Sequence, residues 1–313
     1  MTTEPRLPVS HTQRTVFRLA TLATLMAVVM GSVVCATESG AACPTWPGCH
    51  PGQIAPRPDD LNPLIEFTHR VVAIAAGPLI LAAAGLSLQH HRRESLVRVL
   101  PWVALVGAIA AALFGRRVVL HGLPPALGVL DLGLSLTALI AITTATVAVN
   151  RSPYLTVRHR TARWGWAGLA VLVVMHTSGI PVAGSGSFTR CMGWPIWRLI
   201  DTDAFPAVQV ARIVLAVLAT VLIVAAVVAA WDRADLRPWA AALVLAWVVE
   251  LVTGLVMGGQ RLSAGGAALY STAAVTIVWT LTVITAKATV APVRASDGGS
   301  VPDRQGRPRV MYG

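Results

Sequence analysis

Lysine is almost missing from this chain of 313 residues: Lys287 stands alone beside many arginines. Acids are scarce too, with 14 Asp and Glu, and charged residues make up only 12% of the whole. Soluble domains carry about 25%, so the shortage excludes a water-covered globule. Hydrophobic residues reach 55% and the mean hydropathy is +0.66. No A-x-A-like cleavage site follows the first apolar segment, which is therefore expected to stay as a helix and not leave as a signal peptide. The C-x-x-C-H sequence of covalent haem attachment is also missing. CPTWPGCH ends in Cys-His, but position 46 is Trp where Cys is required.

What the chain has in abundance is long apolar runs, each sufficient to cross a bilayer as a helix that satisfies its own backbone. Eight are expected: 17–37, 66–88, 99–117, 126–149, 164–183, 207–230, 239–258 and 267–289. The fold class is an all-α integral membrane protein of eight transmembrane helices, arranged as two pseudo-repeated four-helix bundles. The net charge of +11 is spread between these runs. Arg6, Arg14, Arg18, Arg92, Arg93, Arg98, Arg151, Arg158, Arg160, Arg163, Arg233 and Arg237 share one side with Lys287 and the arginines of the tail. By the positive-inside rule that side is the cytoplasm. The chain is then a multi-pass protein of the cell membrane with both termini inside. The arginines act as topology signals and lipid contacts, and nucleic acid is not an expected partner.

The expected organisation is a cytoplasmic segment 1–16, a first half 17–149 with an outer loop 38–64, and a cytoplasmic linker 150–163. A second half 164–289 follows, with an outer loop 184–206, and then a disordered tail 290–313. The two outer loops resemble each other. GSVVCATESGAACPTWPGC (31–49) aligns without a gap on GIPVAGSGSFTRCMGWPIW (179–197). The alignment pairs Gly31 with Gly179, Cys43 with Cys191, Trp46 with Trp194 and Pro47 with Pro195. Farther on, THR (68–70) corresponds to VAR (210–212), which points to an internal duplication.

Four cysteines are present. Cys43 and Cys49 lie six apart in the first outer loop, on an oxidising side, and read either as a structural staple or as a redox pair. Cys191 has Trp197 where its repeat partner should be, and Cys35 is expected simply to pack near the end of the first helix. In LIEFTHR (64–70), Glu66 and His69 share a helix face, with Arg70 following. Ionisable groups there point to function: an imidazole to bind metal, with a carboxylate to orient it or move protons. The competing reading is an interfacial pair solvated by headgroups, with Arg70 snorkelling outward.

Three motifs together resemble the haem A synthase family, which converts haem O to haem A for cytochrome oxidase. They are S-G-x-x-C-P-x-W-P-x-C (Ser39 to Cys49), I-E-x-x-H-R (Ile65 to Arg70) and G-L-P-P (Gly122 to Pro125). The resemblance implies four axial histidines, two per half, with substrate haem in one half and haem B in the other. Position by position, His69 is kept as an axial ligand of haem iron. The other three positions fall on Asp131, Ala211 and Tyr270 (or the adjacent Ser271), which are the replacement positions for lost ligands. Ala211 cannot ligate iron, so a second-half haem B loses a ligand. Tyr270 is either a phenolate ligand or an interfacial anchor, and Asp131 is expected to pair with Arg116 or Arg117. His121 and His176 are alternative ligands or packing residues.

The implied activity is oxidation of a haem O methyl group to the formyl of haem A, with Glu66 as the catalytic residue near that methyl. The alternative is a non-catalytic paralogue that binds or delivers haem, or assists assembly of a respiratory complex. Implied partners are the bilayer, haem O synthase, cytochrome oxidase assembly factors and a second copy of the chain.

Overall fold

The computed structural model describes residues 9–90, 95–122, 124–151, 159–182, 191–195, 206–257 and 263–290. The expected tail, most of the linker and most of the second outer loop lie outside the described residues. Within them the chain forms eight α-helices: α1 (His11–Ala36), α2 (Leu61–Ser87), α3 (Ser95–His121), α4 (Pro125–Asn150), α5 (Arg160–Thr177), α6 (Pro206–Trp231), α7 (Arg237–Met257) and α8 (Ala264–Thr289). Seven are long and apolar enough to cross a membrane. The exception is α5, whose 18 residues include Arg160 and Arg163 in the first turn.

Several boundaries move from those expected, each for a local reason. α1 begins at His11 because the Ser10 hydroxyl caps it, accepting from the Gln13 amide at 3.1 Å. α2 begins at Leu61, so Glu66 and His69 lie more than a turn inside the helix and not at its mouth. α5 stops at Thr177 and gives way to a short 3-10 turn at Ile180–Val182. Pro181 has no N–H for an α-helical bond and disfavours helix in the residue before it.

α8 is the most enclosed span. It packs on α7, α5, α1 and α4, and Val275, Ile277, Val278, Leu281 and Ile284 are all buried in it. Most of its threonines are tolerated because the hydroxyl folds back on its own helix. The hydroxyls of Thr276, Thr280, Thr282, Thr285 and Thr289 donate to carbonyls four residues earlier at 2.7–2.8 Å. By contrast α2, α3, α6 and α7 expose large apolar side chains, among them Ile74, Leu81, Val106, Leu113, Val217, Val228, Leu245 and Val256. On a chain of this composition such a surface is the lipid-facing one.

Contacts sort the helix ends. Gln13 at the start of α1 donates to the Leu86 carbonyl near the end of α2 at 3.2 Å. Arg18 bonds Asn150 at the end of α4 at 3.0 Å. Arg151 reaches both the Lys287 carbonyl and Asp235 in the turn between α6 and α7. These points mark one end of the bundle, the charged end. The opposite end carries the loop 37–60 and residues 191–195, and the buried polar groups gather there. It is called the loop end below.

Candidate functional site

Beneath the first loop, α2 supplies three side chains. Glu66 is 3% exposed and Arg70 8%. They form an ion pair one turn apart, between Glu66 Oε1 and Arg70 Nη2. The other carboxylate oxygen of Glu66 accepts from the Cys43 amide at 2.8 Å. Arg70 Nη1 donates to the carbonyls of Thr45 (2.5 Å) and Gly48 (2.8 Å), and Nη2 to that of Cys43 (2.9 Å). The guanidinium fork thus fills the inside of the turn that the Cys43–Cys49 disulfide closes, with Cα atoms 4.3 Å apart. Arg70 therefore does not snorkel. A loop with inward-facing carbonyls needs buried donors, and Arg70 is placed to provide them. From α3, Arg116 lies 5.7 Å from the centre of the Trp46 ring and covers the loop.

His69 takes a different direction. Its ring rests against α1, where a Cβ on Gly31 would lie 3.1 Å from Cε1. The absence of a side chain at Gly31 admits the imidazole. One ring interaction goes to the Ala27 backbone, while Nδ1 is buried without a hydrogen-bond partner. Among the described residues no hydrogen bond joins Glu66 to His69; the carboxylate is engaged by Arg70 and Cys43. The expected orientation of the imidazole by Glu66 is not what the structure shows.

The second half of the chain arranges its loop end differently. Residues 191–195 are held from α7 and α8. Glu250 Oε1 accepts from the Trp194 amide at 3.1 Å, the Tyr270 hydroxyl donates to the Trp194 carbonyl at 2.7 Å, and Ser271 donates to the Cys191 carbonyl at 3.0 Å. Tyr270 is 1% exposed, so it is not an anchor at a membrane surface. A second disulfide joins Cys35, at the end of α1, to Cys191, with Cα atoms 5.5 Å apart. This corrects the expectation that Cys35 only packs and that Cys191 is left without a partner. Packing of α1 beside α8 brings the two positions together, a contact 156 residues apart in sequence.

No family model matches the chain. It is similar to proteins named haem A synthase. Over 180 residues it is 27% identical to that of Exiguobacterium sp. (strain ATCC BAA-1283 / AT1b), covering 56% of this chain and 59% of that protein. With the protein of Exiguobacterium sibiricum it is 26% identical over 182 residues, 56% of this chain and 61% of the other. With that of Alkalihalophilus pseudofirmus it is 25% identical over 185 residues, 57% of this chain and 62% of the other.

These similarities agree with the resemblance that the motifs carry. The matched stretch spans about three fifths of these relatives' length. The residues singled out in the sequence lie at the loop end as follows. His69 is present with a nitrogen to give. Asp131, on the second turn of α4, is partly buried, and among the described residues no ion pair joins it to Arg116 or Arg117. Ala211 is exposed on α6. His121, the last residue of α3, is exposed, whereas His176 on α5 is fully buried with neither ring nitrogen hydrogen-bonded.

Sequence reasoning missed Glu250, which is 0% exposed. Its signal was available: a single acid within the apolar run WVVELVTG. It also passed over the loop-holding part of Arg70 and Tyr270, because the carbonyls they hold belong to distant segments.

Proposed function

We propose that this protein is a haem A synthase-like enzyme that takes haem O as substrate at the loop end of α1–α4 and oxidises one of its methyl groups to a formyl, with water giving the oxygen and an external electron acceptor taking the four electrons. The observation that carries the reading is His69: a half-buried imidazole, admitted by Gly31, whose buried Nδ1 has no hydrogen-bond partner among the described residues. A neutral imidazole in apolar surroundings is a donor of the kind that holds haem iron. The names of the relatives point the same way. His69 is the axial ligand in this reading. Glu66 and Arg70 hold the disulfide-closed loop over the site, and Glu66 stands nearest the reacting methyl. Asp131 occupies the position of a lost ligand on α4 and would contribute little to holding the haem there.

In the second half of the chain, Ala211 offers no donor and the Tyr270 hydroxyl is given to the Trp194 carbonyl. A haem B on those two positions does not fit. The two-half arrangement of four helices each is part of the same proposal, supported by the aligned loops and by helix pairs that pack within each half. So is the orientation with both termini cytoplasmic, supported by the arginines at the charged end. Haem O synthase, cytochrome oxidase assembly factors and a second copy of the chain are the partners that this activity calls for.

One observation favours a second reading, a non-catalytic paralogue that binds or delivers haem. Both Glu66 oxygens are engaged, so the carboxylate is not poised to accept a proton until the loop moves. One experiment separates the two. The protein is produced with haem O supplied, purified, and its haems extracted and identified. Haem A in the wild type, absent from His69→Ala, is the result expected of the enzyme. Bound haem O without haem A supports the paralogue, and a folded protein free of haem sinks both.

A further inference from the structure

The sequence alignment pairs Arg212 on α6 with Arg70 on α2, but the structure puts them to different uses. Arg70 is spent on three loop carbonyls and on Glu66. At the position matching Glu66 the second half has Val208, and Arg212 touches no loop carbonyl among the described residues. The carbonyls of Trp194 and Cys191 are taken by Tyr270 and Ser271. Arg212 is 0% exposed. Its Nε reaches the Met175 carbonyl at 3.4 Å, and among the described residues neither Nη1 nor Nη2 has a hydrogen-bond partner.

His176, next to Met175 on α5, is equally buried, and among the described residues neither of its ring nitrogens is hydrogen-bonded. It lies within electrostatic reach of Arg212. The buried acid of this region does not complete the pair. Glu250 spends one oxygen on the Trp194 amide, leaves the other without a partner, and forms no ion pair with Arg212 among the described residues. A guanidinium stripped of water, with both terminal nitrogens left without an acceptor, is among the costlier groups a membrane interior can contain. Its two terminal nitrogens present parallel donors, the shape that a carboxylate fills with two bonds.

We propose that Arg212 and His176 form an internal site for a carboxylate at the loop end of α5 and α6. Arg212 holds it through Nη1 and Nη2, and His176 adds a further donor. The site lies within about two turns of the helix ends, because Arg212 is six residues into α6 and His176 is the penultimate residue of α5. A carboxylate can arrive there from the aqueous loop end as a small organic acid, or as the acidic head of a lipid-soluble molecule. The site rests on no haem and is independent of the reading above.

The test uses the purified full chain in lipid nanodiscs, with tryptophan fluorescence as the readout. Trp194 and Trp247 report from this region, their rings 6.5 Å apart. Sodium acetate, sodium laurate and sodium chloride are titrated separately at matched ionic strength. A saturable change with acetate identifies a small-acid site, and one with laurate alone identifies the lipid-soluble source. In either case Arg212→Gln weakens the apparent affinity by about ten- to a hundredfold, the usual worth of charge-assisted bonds. His176→Gln weakens it by a smaller factor. The proposal is overturned by no saturable change with either acid, by an equal response to chloride, or by unchanged affinity in a folded Arg212→Gln protein. If Arg212→Gln does not fold, unchanged affinity in His176→Gln overturns it.

Discussion

Glu66 and Arg70 illustrate how one buried pair can hold a loop in place. The pair is enclosed, hydrogen-bonded on both sides and aimed at the backbone of the Cys43–Cys49 turn, so its loss is felt by the loop before any chemistry. Removing one partner of a buried ion pair leaves the other uncompensated and costs about 3–5 kcal/mol. Glu66→Ala should therefore lower the thermal unfolding midpoint in detergent markedly. His69→Ala, which deletes a ring with an unpartnered nitrogen, should leave that midpoint nearly unchanged while removing haem from the purified protein. Equal destabilisation by both substitutions would mean that His69 is a structural residue. Gly31→Ala provides a gentler probe of the same ring. The added methyl would press on His69 at 3.1 Å, so the absorption spectrum of bound haem should shift while haem stays bound.

At the scale of the helices, close approach is set by small residues. A Cβ on Gly165 of α5 would overlap the Thr285 side chain on α8, and overpacking of that kind costs about 1–3 kcal/mol. Gly165→Ala should lower the unfolding midpoint, and combination with Thr285→Ala should recover part of the loss, because the two positions share one contact. At the charged end, Asp235 is flanked by Arg151 at 2.7 Å and Arg233 at 3.1 Å. Partial burial alone would raise its pKa, but the hydrogen bonds and charges of the two arginines outweigh that and hold it below the usual carboxylate value. The folded pKa is depressed, so the stabilisation is present above the unfolded value of about 4 and is lost as pH falls through the folded one. The difference in midpoint between wild type and Asp235→Asn should be constant near neutrality and close below about pH 4. A difference that persisted into strong acid would exclude this ion pair as its source.

On the scale of the whole molecule, the Cys35–Cys191 disulfide fastens α1 to a loop that follows α5. Long closed loops restrict the unfolded chain most, and a bridge of this kind is worth about 2–4 kcal/mol. The Cys35→Ser, Cys191→Ser double variant should unfold earlier by a corresponding amount on heating. An unchanged midpoint would mean that packing of α1 on α8 alone joins these parts. Hydropathy and the arginine pattern determined by themselves that this is a multi-pass helical membrane protein and where most of its helices run, and the spacing within LIEFTHR singled out His69. Those are local properties, carried by runs of neighbouring residues and by the bilayer's demand for closed backbone hydrogen bonding. Tertiary structure alone decided which cysteine meets Cys191, that Arg70 turns inward to the loop, that Tyr270 is enclosed, and that Glu250 and Arg212 stand unpaired with each other. Each depends on helices far apart in the chain lying side by side, and the fate of a polar group in a membrane is set by the partner that packing brings to it.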